Sequence, residues 1–78
     1  MTVIKTFLNQ ITQQLAASSM SEDAALEARL LLQHVLKVNH AWLIAHANDA
    51  LTLEQIAALE ALLQRRINGE PMAYILGR

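Results

Sequence analysis

This sequence has no cysteine, one proline and two glycines, and a single residue each of phenylalanine, tryptophan and tyrosine. Without cysteine there can be no disulfide framework and no thiolate metal site, which suits a reducing cytoplasm. An excess of charge of one sign is also missing. Six Lys/Arg stand against seven Asp/Glu, for a net charge of −1. A nucleic-acid binder of this size needs a basic stripe, and none is present. No apolar run approaches the roughly 20 residues that span a bilayer. The opening MTVIKTFLNQ has one lysine, no continuous apolar stretch and no small-residue cleavage site, so it is not expected to be a signal peptide.

What is abundant is apolar and helix-forming. Hydrophobic residues make up 54% of the 78 positions, with alanine and leucine dominant. That content excludes a disordered segment, and the bias towards Ala and Leu favours helix over strand. A chain this short buries only about 60% of its extended surface, so one small domain of modest stability is expected.

Apolar periodicity divides the chain into helices. Val3, Ile4, Phe7, Leu8, Ile11 and Leu15 share one face of a first helix over about 2–17. Ser19 followed by Glu22 forms a capping-box pattern, and Ser21 is an equally good N-cap, for a second helix over about 22–36. Glu22 and Asp23 then fall in its first turn, where the helix dipole favours carboxylates. Its main stripe is Ala24, Ala28, Leu31, Leu32 and Val35, while Leu26 and Leu30 lie on another side. A helix apolar on two sides packs centrally. Asn39 caps a short third helix over about 40–47, carrying Trp42, Leu43 and Ile44. Thr52 and Gln55 form a second capping box for a fourth helix over about 53–68, with its stripe at Ile56, Leu59, Leu63 and Ile67. Gly69 is placed to close that helix in a left-handed conformation, and Pro71 to occupy the first position of a last helix over about 71–76. The expected fold is all-α, a small four- to five-helix bundle.

Self-contained chemistry is not apparent. His34, His40 and His46 recur at six-residue intervals, which puts no two on one helix face at ligand spacing. Glu54 with Glu60, and Glu22 with Glu27, fall on faces suited to solubility rather than to acid–base work in a pocket. No serine or threonine sits in a glycine-flanked nucleophile turn. Gly69 and Gly77 alone cannot build a phosphate-cradling loop. The feature left over is the pair Arg65–Arg66 followed by GEPMAYILGR. It has two readings. Either the arginines complement a helix end while Met72, Tyr74, Ile75 and Leu76 close the core, or the tail is a joint to another domain.

The run Arg65-Arg66-x-x-Gly69-Glu70-Pro71-x-Ala73-Tyr74-Ile75-x-Gly77 resembles a segment of the HemK/PrmC-type enzymes, the release factor glutamine N5-methyltransferases. The resemblance continues upstream in Asp23-Ala24, in Glu27-Ala28-Arg29-Leu30-Leu31-Leu32 with His34-Val35-Leu36, and in Asp49-x-Leu51-Thr52 with Glu54-Gln55 and Leu59. It covers about Asp23 to Arg78; the first helix matches only in general character. The resemblance implies that residues 1–78 are an amino-terminal helical substrate-recognition domain. A Rossmann-like domain that binds S-adenosylmethionine would follow, carrying a glycine-rich loop and an Asn-Pro-Pro-Tyr motif. Neither motif occurs in this chain, whose one proline follows Glu70, so the end at Arg78 is expected to be a truncation.

By that resemblance the parent protein methylates the glutamine of the Gly-Gly-Gln loop in peptide chain release factors. This domain itself would hold no catalytic, cofactor-binding or metal-binding residue. Its expected partners are the release factor and its own catalytic domain, with no direct nucleic acid and no membrane, in the cytoplasm. Arg65, Arg66, Glu70 and Tyr74 are the candidate partner or interdomain contacts. The alternative is a stand-alone helical interaction module without a catalytic role. A carrier protein lacks support because Ser18, Ser19 and Ser21 have no Asp-Ser-Leu-like setting. A helix-turn-helix DNA binder is opposed by the acidic balance.

Overall fold

Apolar residues at three- and four-residue spacing wind most of the chain into helices, and their ends follow capping chemistry that is specific at each junction. The computed structural model describes residues 2–18 and 22–77. Within them lie α1 (Ile4–Ser18), α2 (Ala24–Leu36), α3 (His40–Ala45), α4 (Leu53–Ile67) and α5 (Met72–Leu76). The described residues form an all-α bundle of five helices, within the expected four to five.

The first helix starts two residues later than expected, at Ile4. No side chain among the described residues caps it. Its leading N–H groups are instead taken by the turn after α3: Ile4 N–H donates to the Asp49 carbonyl and Lys5 N–H to the Ala47 carbonyl, each at 3.0 Å. Leu51 N–H returns a bond to the Thr2 carbonyl at 2.9 Å, completing a short antiparallel bridge between Val3 and Ala50. This pairing also explains why α3 stops at Ala45 rather than near Ala47. The Ala47 carbonyl serves α1, and His46 N–H closes the helix on the Trp42 carbonyl.

For α2 the cap is Asp23, whose carboxylate accepts from Leu26 N–H at 3.1 Å. Asp23 is therefore outside the first turn, and Glu22 precedes the helix. Ser19 and Ser21, the expected caps, lie outside the described residues. Asn39 caps α3 through Trp42 N–H at 2.8 Å. Thr52 and Gln55 make the full reciprocal capping box of α4, at 3.0 and 2.9 Å. The start of α5 differs by one position from expectation. Pro71 is the flanking cap residue in extended conformation, and its carbonyl accepts from Tyr74 and Ile75 N–H.

The core is built by one stripe from each helix. Ile4, Phe7, Ile11 and Leu15 come from α1, and Ala28, Leu31 and Leu32 from α2. Leu43, Leu51, Leu59, Leu63 and Ile75 fill the remainder. α2 packs against all four other helices through its main stripe, but its second apolar side does not join the core: Leu26 is 41% exposed and Leu30 is only half-buried. No polar or charged residue is fully buried among the described residues. The tail divides: Ile75 is buried, Met72 and Leu76 pack against the core, and Tyr74 is 73% exposed. Tyr74 thus does not join Met72, Ile75 and Leu76 in closing the core.

Candidate partner and interdomain site

The end of α4 fixes the geometry of the four candidate residues. Gly69 adopts a φ of 105°, a conformation that favours glycine. Gly69 N–H donates to the Arg66 carbonyl at 3.0 Å and Glu70 N–H to the Arg65 carbonyl at 3.1 Å. These are the two bonds of a Schellman motif, which reverses the chain and places the residue after the glycine beside the third-last helical residue. An apolar contact usually forms there. In this protein it is an ion pair: Arg65 Nε donates to Glu70 Oε2 at 2.8 Å and Arg65 Nη2 to Oε1 at 3.0 Å.

That bidentate fork is the principal cause of two opposite shifts. Its hydrogen bonds hold the Glu70 carboxyl below the ordinary glutamate value and raise Arg65 above its already high one. Both side chains keep substantial exposure, at 44% and 40%, so solvent screens the pair.

Arg66 turns the other way. Its Nε donates to Glu27 Oε1 at 2.8 Å and its Nη2 to Glu27 Oε2 at 3.3 Å, reaching from α4 to α2. Its Nη1 donates to the Glu70 carbonyl at 3.0 Å. Only 14% of either side chain in the Arg66–Glu27 pair remains exposed. The hydrogen bonds to Glu27 are the main reason that the Arg66 guanidinium is held above its ordinary value. One arginine therefore links α2, α4 and the segment entering α5. The adjacent arginine braces that segment from outside.

Three of the four predicted residues, Arg65, Arg66 and Glu70, are joined at the end of α4, and Tyr74 follows on α5 without a side-chain hydrogen bond to them. Arg66 faces inward, Arg65 and Glu70 are paired at the surface, and Tyr74 projects into solvent on α5. Glu27 is the residue that sequence reasoning placed on a solvating face and the structure places in the site. Its partner is 39 positions away. The only signal for it in the sequence was that Glu27 and Arg66 both belong to the segments that resemble the HemK/PrmC-type enzymes. The array ties the segment that enters α5 to α2 and α4.

The histidines lie elsewhere. His46 Nδ1 is 2.7 Å from Asp49 Oδ2, and its ring stacks on Trp42 with centroids 4.1 Å apart. Among the described residues no group of three His, Cys, Asp or Glu is arranged to hold a metal ion. No helix among them is long and apolar enough to cross a membrane.

Residues 6–77 match the family model of the PrmC N-terminal domain. The chain belongs to the PrmC N-terminal domain family. It is similar to the release factor glutamine methyltransferase of Vibrio cholerae serotype O1, with 45% identity over 74 residues that cover 95% of this chain and 26% of that protein. The release factor glutamine methyltransferase of Coxiella burnetii is 43% identical over 75 residues, covering 96% of this chain and 26% of the relative. A bifunctional methyltransferase of Rickettsia bellii is 39% identical over 74 residues, covering 95% and 13%. The chain thus spans about a quarter or less of the length of these relatives. No solved structure matches it significantly. As a PrmC N-terminal domain, the chain carries its Arg–Glu array and Tyr74 inside the matched residues.

Proposed function

We propose that this PrmC N-terminal domain is the helical part of an S-adenosylmethionine-dependent protein-glutamine methyltransferase, and that the parent protein methylates the Gly-Gly-Gln loop of peptide chain release factors in the cytoplasm. The observation that carries this reading is the family match over residues 6–77, supported by relatives named as release factor glutamine methyltransferases. The residues of this chain do not fit the cofactor. Gly69 and Gly77 both terminate helices at positive φ, leaving no glycine-rich loop to approach a nucleotide. S-adenosylmethionine would supply the methyl group from a site in the rest of the parent protein.

The role of this domain is to select the release factor and hold it in register with the catalytic domain. A helical domain contributes to such a reaction through proximity and differential binding, without touching the reacting atoms. The Arg66–Glu27 tie anchors the segment that enters α5. Tyr74 and the Arg65–Glu70 pair then form the contact surface for the release factor or the catalytic domain.

The test uses the full-length parent protein with purified release factor as methyl acceptor. Tyr74→Ala and Arg65→Glu are expected to raise KM for the release factor about tenfold with kcat retained, the pattern of lost binding rather than lost chemistry. Unchanged kinetics in both variants would remove this end of the bundle from docking. Absence of glutamine methylation by the unsubstituted parent would overturn the activity itself.

A further inference from the structure

Away from the α4–α5 end, α1 and α3 enclose an apolar groove of about 210 Å³. Ile4 and Leu8 of α1 form one wall, and Leu43 and Ile44 of α3 form the other. Ile44 is 65% exposed, so its aliphatic side chain is open to solvent at the edge of the groove. Two cations, Lys5 and Arg29, line the groove, with His40 beside them, and no acidic residue does. Neither Lys5 nor Arg29 makes a side-chain hydrogen bond or ion pair among the described residues, whereas Arg65 and Arg66 are both committed to carboxylates. In a chain whose net charge is −1, two cations without partners beside one apolar slot form a local field opposite to that of the whole.

We propose that this groove is a docking site for an acidic amphipathic helix of a partner protein. The volume is below the roughly 300–1,000 Å³ of small-molecule sites, but suits one or two apolar anchor side chains. Two helices form its walls, the arrangement that accepts a third helix through anchors at i, i+3 or i+4. Carboxylates flanking those anchors would meet Lys5 and Arg29 across the rim, supplying orientation and steering. A basic helix would meet like charge there, so the rim also rejects the wrong partner. This surface is separate from Tyr74 and does not depend on the methyltransferase reading.

The proposal is tested on this chain with short fluorescein-labelled helical peptides, read by anisotropy and by backbone NMR shifts. One peptide carries leucines at i and i+4 flanked by glutamates, the second replaces the glutamates with lysines, and the third replaces the leucines with alanines. The first is expected to bind at least about tenfold more tightly than either of the others, and more weakly as salt screens the rim. Its shifts should centre on Lys5, Leu8, Arg29 and Ile44. Reversing the rim with Lys5→Glu and Arg29→Glu should transfer the preference to the lysine peptide. Ile44→Asp should abolish binding while leaving helix content intact, because that side chain is already in solvent. Equal binding of acidic and basic peptides would overturn the proposal, as would shifts centred on Tyr74 or no binding at all. Self-association of the chain lost in Ile44→Asp, with no peptide bound, would assign the groove to a second copy instead.

Discussion

Arg66 and Arg65 are adjacent in sequence and opposite in consequence. Arg66 reaches Glu27 through a nearly enclosed fork, so removing either partner leaves a charged group poorly solvated. A double-mutant cycle of Glu27→Ala and Arg66→Ala, measured by urea denaturation, is expected to give a coupling of about 1–2 kcal/mol. Arg65 and Glu70 sit in solvent, and their pair is expected to show itself in titration instead. In the folded chain Glu70 titrates below the ordinary glutamate range, and Arg65→Gln should return it there by side-chain NMR. Because the folded value is the lower one, the pair stabilises the fold above the unfolded glutamate value. That contribution is lost as pH falls through the lowered folded value. Both arginines were legible as cations in the last turn of a helix. Their partners were not, since Glu70 is brought back by the chain reversal and Glu27 by helix packing.

At the scale of elements, α2 and α4 end in related ways with different residues. Gly69 closes α4 at positive φ, and Lys37 closes α2 in the left-handed conformation at φ 58° and ψ 48°. Lysine at such a position carries a steric penalty that glycine does not. Lys37→Gly is therefore expected to stabilise the fold by about 0.5–1 kcal/mol, and Gly69→Ala to destabilise it by about 1–2 kcal/mol, both read from thermal unfolding. Local sequence chemistry announced Gly69, Asn39 and the Thr52–Gln55 box because each cap acts within four residues of itself. It did not announce Lys37, which has no property that prefers the left-handed region. Nor did it announce the start of α1, whose N–H groups are satisfied by carbonyls more than 40 positions away.

For the molecule as a whole, stability rests on a small apolar core with α2 at its centre. Leu31, Leu32 and Leu59 are fully enclosed. Leu59→Ala is expected to cost about 2–5 kcal/mol, comparable with the whole stability of a domain near the low end of the natural range. Leu53→Ala serves as the control. Leu53 is 84% exposed at the start of α4, and its change should stay within about 0.5 kcal/mol. Urea unfolding of the two variants separates enclosure from hydrophobicity, since the residue type and helix are the same. The sequence marked Leu59 by its position in a stripe, but Leu53 stands three positions before Ile56, a spacing the pattern also allows, and the packing leaves it in solvent.

The all-α class, the order of the helices, their main core stripes and the caps Asn39, Thr52 and Gly69 were determined by the sequence itself, because those features depend on neighbours within a turn. The family resemblance was also carried by sequence, in motifs whose order and spacing do not require coordinates. Tertiary structure decided the remainder. It turned Arg66 inward to Glu27, left Tyr74 outside the core, and set Lys5 and Arg29 on the rim of the groove between α1 and α3. Each of these depends on which helix faces meet. A one-dimensional pattern sets the faces of a helix, and only packing decides what each face touches.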